Sequence, residues 1–255
     1  MHPAICLLPV IPVRKEPSHR SEMVSQLLFG EFVNRGEEKD DFVFVVCLFD
    51  GYEGWVQANQ LTAVTEVTPT TTFVSGPEVK VSINGIEKFV SVGTPVYRPG
   101  ELLQYEGTTV LYPLNNEHYW NNDTSNENVA ALLEKLYTPF LYTPYLWGGK
   151  SVFGIDCSGF AQQVFKLLGV KLLRDAYLQA GQGARVGGLS AAKAGDLAFF
   201  QNENGKVTHV GIMLPENKIV HASGRVRIDT IDESGILQRE SGKRTHHLHS
   251  IRRFF

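Results

Sequence analysis

The chain is poor in cysteine: of 255 residues only Cys6, Cys47 and Cys157 are of this type. An odd, sparse set builds no disulfide framework and shows no repeated metal-ligand spacing, and it fits a reducing compartment. A charge excess is also missing. The 24 Lys and Arg against 27 Asp and Glu give a net charge of −3, which leaves no basic footprint for nucleic acid or an anionic membrane surface. No apolar tract approaches membrane-spanning length. The apolar opening, Met1 to Val13, has no early Lys or Arg, is broken by Pro3, Pro9 and Pro12, and ends in no small-residue cleavage site. It does not read as a signal peptide, so a cytoplasmic setting is expected. No exact internal repeat is visible. What is present is an ordinary globular composition, 43% hydrophobic and 20% charged, in a length that suggests more than one domain.

Residues 1–66 alternate short apolar runs with turn signals: Cys6 to Val13, Gln26 to Val33, Phe42 to Phe49, then Asp50-Gly51 and Glu53-Gly54-Trp55-Val56. Short strands separated by such turns argue for a small barrel. Cys6 and Cys47 lie within these runs and read as small buried hydrophobes. Residues 67–122 open on Thr68-Pro-Thr-Thr-Thr, a linker-like stretch. Asn84-Gly85 between two alternating runs is a strong hairpin signal, and Val92 to Val96 and Leu102 to Leu111 supply further candidate strands. From Asn121 to Asn126 capping residues precede Val129, Leu132, Leu133 and Leu136, the spacing of an amphipathic helix. That change of character starts a third region, 123–255.

Two stretches of this third region carry chemistry. In Tyr145-Leu-Trp-Gly-Gly-Lys-Ser-Val-Phe-Gly-Ile-Asp-Cys157-Ser-Gly-Phe160 a Gly-rich loop leads into a helix whose apolar face is Phe160, Val164, Leu167 and Leu168, with Ser158 as cap and Gly169 as stop. Cys157 at the helix N-terminus meets unpaired amides and the positive dipole end, so its thiol pKa is expected to fall. The second stretch, Val207 to Leu214, Pro215 to Lys218 and Ile219 to Ser223, reads as a β-hairpin. Pairing centred on Pro215 sets His209 opposite His221, close enough for one imidazole to orient the other. A short helix over Leu172 to Ala180 and strands at Leu197 to Gln201, Arg225 to Thr230 and Leu248 to Phe255 complete an α+β arrangement, a cysteine helix packed on an antiparallel sheet.

Trp147-Gly-Gly, Asp156-Cys157-Ser158-Gly159, Gly195-Asp-Leu-Ala-Phe-Phe200, Thr208-His209-Val-Gly and His221-Ala-Ser223 together resemble the NlpC-type cell-wall cysteine peptidases, papain-like enzymes with Cys, His and a third polar residue. The whole chain is similar to the γ-D-glutamyl-L-diamino acid endopeptidases, or dipeptidyl-peptidases VI, which carry bacterial SH3-like domains ahead of the catalytic domain. Pro12-Val-Arg, Gly30-Glu-Phe and Gly54-Trp-Val resemble such a domain. The implied architecture is an SH3-like barrel at 1–66, a second, divergent one at 67–122, and an α+β papain-like peptidase domain at 123–255.

The resemblance implies roles. Cys157 is the nucleophile, His209 the base and His221 its orienter. Tyr145 helps bind the oxyanion with the Cys157 amide; the alternative is a packing aromatic. Asp156, Ser158 and Asp175 match positions near the cysteine that hold the free N-terminal amine of the substrate, although Ala176 follows Arg174-Asp175 where the family often has serine. Glu53 is the natural candidate for an acid contributed by the SH3-like domain, and Tyr97 or Tyr52 for an aromatic. The implied substrate is a murein stem peptide, L-Ala-γ-D-Glu-diaminopimelate or -lysine, cut at the γ-D-glutamyl bond during wall-peptide recycling, by a monomer without cofactor, metal, nucleic acid or membrane. A hydrolase of intact wall, a wall-peptide-binding protein and an acyltransferase are the alternatives. The run His246, His247, His249 has no acidic or cysteine partner at ligand spacing, and Leu248-His-Ser-Ile-Arg-Arg-Phe-Phe255 resembles the family's terminal strand, so no metal site is expected there.

Overall fold

A computed structural model describes residues 2–123 and 128–255. It divides into two compact units: Met1–Asp123 with Trp147–Phe153, and Thr124–Leu146 with Gly154–Phe255. Among the described residues no helix is long and apolar enough to cross a membrane.

In the first unit, seven antiparallel strands lie in the order Met23–Leu28, Val10–Arg14, Glu53–Gln57, Phe42–Cys47, Phe32–Lys39, His2–Cys6, Leu61–Ala63. Alternate side chains point inward: Val43, Val45 and Cys47 from one strand meet Cys6, Val13, Val33 and Val56 from its neighbours. Cys6 and Cys47 are therefore core residues, and burial pushes the Cys6 thiol up to about 12. A four-stranded antiparallel sheet follows, ordered Ile86–Phe89, Lys80–Ile83, Thr108–Leu111, Leu102–Tyr105. The Asn84-Gly85 hairpin forms as expected, with φ of 49° and 79° at the two turn residues. Val79, Val81, Tyr97, Val110 and Tyr112 pack with Ile5, Phe29 and Phe32, so both sheets share one core.

The expected strand over Val92 to Val96 does not form. Gly93 (φ 86°) turns the chain there, the Thr94 amide donates to the Ser91 carbonyl, and the Gly93 and Val96 amides donate to the Val74 and Thr72 carbonyls. Segment 147–153, expected to lie with the catalytic domain, belongs to the first unit. The Trp147 indole donates to Glu22 (2.7 Å), the Lys150 amide to Gln26 (2.8 Å) and the Val152 amide to the Ser91 hydroxyl (3.1 Å), while the buried Lys150 ammonium lies 3.3 Å from Glu31.

The second unit opens on α1 (Val129–Tyr137), capped by Asn128, whose side chain accepts from the Ala130 amide. Part of the expected capping stretch, 124–127, lies outside the described residues. Two more helices follow, α2 (Cys157–Leu167) and α3 (Ala176–Gln179), then seven antiparallel strands: β1 (Ala184–Val186), β2 (Leu197–Gln201), β3 (Val207–Leu214), β4 (Lys218–Ser223), β5 (Arg225–Asp232), β6 (Gly235–Leu237) and β7 (Arg244–Arg253). The pairings run β7-β2-β3-β4-β5-β6 and back from β6 to β7, so six strands close into a ring with β1 on the outer edge of β7. Closure brings the backbones together at Gly235 (φ 128°), where an added Cβ would collide with the His246 carbonyl. The helix α2, buried along its whole length, packs on β3 and β4, the strands that carry the two expected histidines.

Candidate active site

The loop before α2 ends on Asp156, in extended conformation (φ −93°, ψ 176°), and its carboxylate accepts the Gly159 amide at 2.7 Å. Asp156, not Ser158, is thus the N-cap: its side chain takes the Gly159 amide from just outside the helix, whereas Ser158 already lies within the first turn. Cys157 is the first helical residue, 6% exposed, with its thiol donating toward the Thr208 carbonyl at 4.0 Å. The Sγ therefore lies against the strand segment that carries His209. The expected fall in thiol pKa is not found. Burial, and after it the Asp156 carboxylate, push the thiol up to about 12 against the opposing pull of the Val210 amide, Arg174 and the Ser158 amide.

The hairpin forms, with a register two residues from the expected one. Gly211 faces His221 and Leu214 faces Lys218, because the turn is built on Glu216 and Asn217, both at positive φ (60° and 52°), and not on Pro215. His209 and His221 are therefore diagonal neighbours. A two-residue slip keeps every side chain on its face, and the site survives it. Gly211 makes the diagonal contact possible: a side chain there would meet Ile219 at 2.7 Å and the His221 Cβ at 3.0 Å. Over this gap His209 Nε2 and His221 Nδ1 share a hydrogen bond of 2.8 Å. Burial, then the neighbouring His221 and His246, hold the His209 pKa well below its ordinary value; burial also lowers that of His221.

Asp156 and Ser158 come together as expected, but around a residue the sequence reading passed over. Arg174, 1% exposed, donates to both Asp156 oxygens (3.0 and 2.6 Å) and to the Ser158 hydroxyl (2.9 Å). The carboxylate expected to receive a substrate amine already has a buried guanidinium as counter-ion. Asp175 is the half-buried N-cap residue of α3, and its side chain makes no capping bond. Tyr145, half-buried, is tied down by its amide donating to the Gly224 carbonyl at 2.9 Å. Burial first, then the charges of Cys157 and Asp156, raise its phenol pKa, so the hydroxyl stays protonated and able to donate. In the first unit, Glu53 is exposed on its strand and Tyr52 half-buried. Tyr97 is a core residue, 6% exposed, with its ring edge-on to Phe32 and Tyr112 and its hydroxyl donating to the Gly30 carbonyl at 3.0 Å. That packing accounts for it without a ligand.

Two further residues join the histidines. On β5, Asp229 lies with Oδ2 3.1 Å from His221 Nε2, while Oδ1 accepts from Arg227 Nη2 (3.1 Å) and the Arg239 amide (2.9 Å). Burial works to raise its pKa, but the bonds from His221, Arg239 and Arg227 together hold it at about 2. On β7, the His246 ring stacks on His209, centroids 4.1 Å apart at 26°. The signal for Asp229 was a lone acid alternating with apolar residues in Val226-Arg-Ile-Asp-Thr-Ile231, a strand next to the expected hairpin. For His246 it was a histidine run on a strand whose partner was unknown.

Comparison with known proteins bears on both units. The NlpC/P60 family profile matches residues 142–245, and the bacterial dipeptidyl-peptidase Sh3 domain profile matches residues 13–61. A γ-D-glutamyl-L-lysine dipeptidyl-peptidase of Bacillus subtilis is 31% identical over 213 residues, 78% of this chain and 71% of the relative. Dipeptidyl-peptidase 6 of Lysinibacillus sphaericus is 26% identical over 268 residues, 93% of this chain and 94% of that one. A crystal structure of an NlpC/P60 family protein from Bacillus cereus shares the fold, with a TM-score of 0.82 at 22% identity over 99% of both chains.

Proposed function

Because the chain belongs to the NlpC/P60 family of cysteine peptidases, with a bacterial SH3 domain ahead of the catalytic domain, we propose that it hydrolyses the γ-D-glutamyl–diamino acid bond of murein stem peptides with a free N-terminal L-alanine. The diamino acid is lysine or diaminopimelate, and the setting is recycling of wall peptide. The names of the relatives support the bond and the lysine. The observation that carries the chemistry is the thiol of Cys157 lying against the segment of His209, whose Nε2 is held by His221 at 2.8 Å. We also read residues 67–122 as a second, divergent SH3-like barrel, supported by the four-stranded antiparallel sheet with its Asn84-Gly85 turn.

The reaction follows from the neutral resting pair. The Cys157 sulfur attacks the γ-carbonyl carbon while its proton passes to His209, and the carbonyl oxygen takes up the negative charge. The Tyr145 hydroxyl, kept protonated, and the Cys157 amide at the N-terminus of α2 are the donors for that charge. His209 then gives its proton to the departing α-amine of the diamino acid, leaving a thioester on Cys157. Water attacks the thioester, its proton goes to His209, and the thiol is restored as the dipeptide leaves. Asp156, fixed by Arg174, caps the helix and so holds the nucleophile in place.

The test is incubation with L-Ala-γ-D-Glu-L-Lys, its meso-diaminopimelate counterpart and the N-acetylated forms of both, with Cys157→Ala as control and release of the diamino acid read by mass spectrometry. Cleavage of the free peptides alone, by the intact chain alone, is expected. Equal cleavage of acetylated peptides refutes the requirement for a free amine, and retained binding without turnover favours a wall-peptide-binding protein.

A further inference from the structure

His209 can serve as the base only if one of its two ring nitrogens is unprotonated and turned to the thiol. Nε2 is engaged with His221 Nδ1 at 2.8 Å, and among the described residues no hydrogen-bond partner claims Nδ1. Which nitrogen of His209 bears the proton is decided by His221, because a hydrogen bond between two neutral imidazoles has one donor. The Nε2 of His221 in turn meets Asp229 Oδ2 at 3.1 Å. Asp229 is 2% exposed and His221 1%, so water does not compete for this contact.

We propose that Asp229 is a positioning residue that fixes the tautomers of both histidines and thereby leaves His209 Nδ1 as the base for Cys157. An ionised carboxylate can only accept, so His221 must place its proton on Nε2 and donate it to Oδ2. Its Nδ1 is then a lone pair, and His209 must donate to it from Nε2. The His209 lone pair is left on Nδ1. The relay moves no proton; it sets the two rings in one of two states.

Asp229 is itself held in the accepting state. Oδ1 accepts from Arg227 Nη2 and the Arg239 amide, Arg227 Nε lies 2.9 Å from Oδ2, and Arg227 Nη1 donates to Glu240 at 3.2 Å. The charged and titratable groups facing the two rings are Asp229 and Arg227 from β5, His246 from β7 and each other. This clamp gives the substitution Asp229→Asn a definite direction. Its carboxamide NH2 in the Oδ1 position would face two donors, Arg227 Nη2 and the Arg239 amide. In the Oδ2 position it meets one donor, Arg227 Nε, which makes no hydrogen bond there, and His221 Nε2, which can accept by moving its own proton to Nδ1. His221 Nδ1 would then donate to His209 Nε2, and the His209 proton would move to Nδ1, where the thiol needs a lone pair.

The inference rests on the peptidase reading for its consequence in turnover, but its first test needs no substrate. In the full chain labelled with 15N-histidine, two-bond 1H–15N correlations read the tautomer of each ring. In the unsubstituted protein both His209 and His221 are expected as Nε2–H, and His221 found as Nδ1–H overturns the proposal even if no variant folds. In Asp229→Asn both rings are expected as Nδ1–H. On a stem peptide that the intact chain cleaves, kcat should then fall about 10⁴-fold, the scale known for a wrong-tautomer histidine in a serine protease triad, with KM within about threefold. Unchanged tautomers, or flipped tautomers with unchanged kcat, refute the role of Asp229. Absence of turnover in the unsubstituted chain alongside the expected tautomers would sink the peptidase reading and leave the relay standing.

Discussion

Replacing Lys150 by methionine should destabilise the first unit by about 3–5 kcal/mol, the usual cost of removing one partner from a buried ion pair. Lys150 is 1% exposed and Glu31 5%, with Nζ 3.3 and 3.4 Å from the two carboxylate oxygens. The methionine retains the aliphatic stem, so the loss isolates the charge. Glu31 keeps the Leu28 amide, which donates to Oε2 at 3.0 Å, but loses its ammonium in a place water does not reach. At about 1.4 kcal/mol per tenfold, the folded-to-unfolded ratio falls by two to more than three orders of magnitude. Removing both charges should recover more than half of the loss, since Glu31→Gln can still accept from the Leu28 amide. All three tryptophans, Trp55, Trp120 and Trp147, lie in the first unit, so urea unfolding followed by indole fluorescence reads this unit alone. A Lys150→Met variant within about 1 kcal/mol of the parent, or a Lys150→Met/Glu31→Gln variant as weak as the two single losses added, would refute the reasoning.

Other outcomes concern the site. Tyr145→Phe removes one donor for the oxyanion and should lower kcat about 10²-fold with little change in KM; an equal rise in KM would make the ring a packing residue. His246→Ala removes the ring stacked on His209 and should lower kcat roughly two- to tenfold, the scale of one aromatic pair, whereas His246→Phe should retain it. The base must be neutral to accept the thiol proton. Since burial, His221 and His246 lower the His209 pKa, the acid limb of kcat/KM should lie below pH 6.5, and a midpoint at or above that value would contradict the assigned environment.

The local parts of this protein were legible in the sequence. The strands Leu197–Gln201 and Val207–Leu214 fall where their apolar runs placed them, the helix behind Cys157 where its apolar spacing put it, and the Asn84-Gly85 hairpin where its turn residues required. What was misread depended on something beyond the window. The hairpin register turned on Glu216 and Asn217 both adopting positive φ; asparagine is a usual occupant of that region but glutamate is not, and so the turn was not centred there. Ring closure through Gly235 joins strands that a linear reading leaves as open edges. Arg174 and Asp229 each occupy a buried position because of a partner, 18 residues away for Arg174 and Asp156, eight for Asp229 and His221; a pattern of hydrophobicity records a polar residue there but not its mate.

The thiol is where general principle and this structure part most. A helix N-terminus lowers a cysteine pKa when the thiolate stays partly hydrated; Cys157 is 6% exposed and has the Asp156 carboxylate as chain neighbour. Burial and the Asp156 carboxylate push the thiol up to about 12, so the resting form favoured at pH 7 is the neutral thiol, and deprotonation is read as coupled to bond formation, with His209 receiving the proton as the sulfur reaches the carbonyl. This coupling is why the His209 tautomer matters more here than its charge. Alkylation of Cys157 by iodoacetamide provides the check, as it meets no carbonyl and no oxyanion donors. Its rate should rise about tenfold per pH unit from pH 7 to 10, because the thiol is still titrating. A rate already level between pH 6 and 8 would mean a preformed thiolate–imidazolium pair, and the neutral resting state would have to be abandoned.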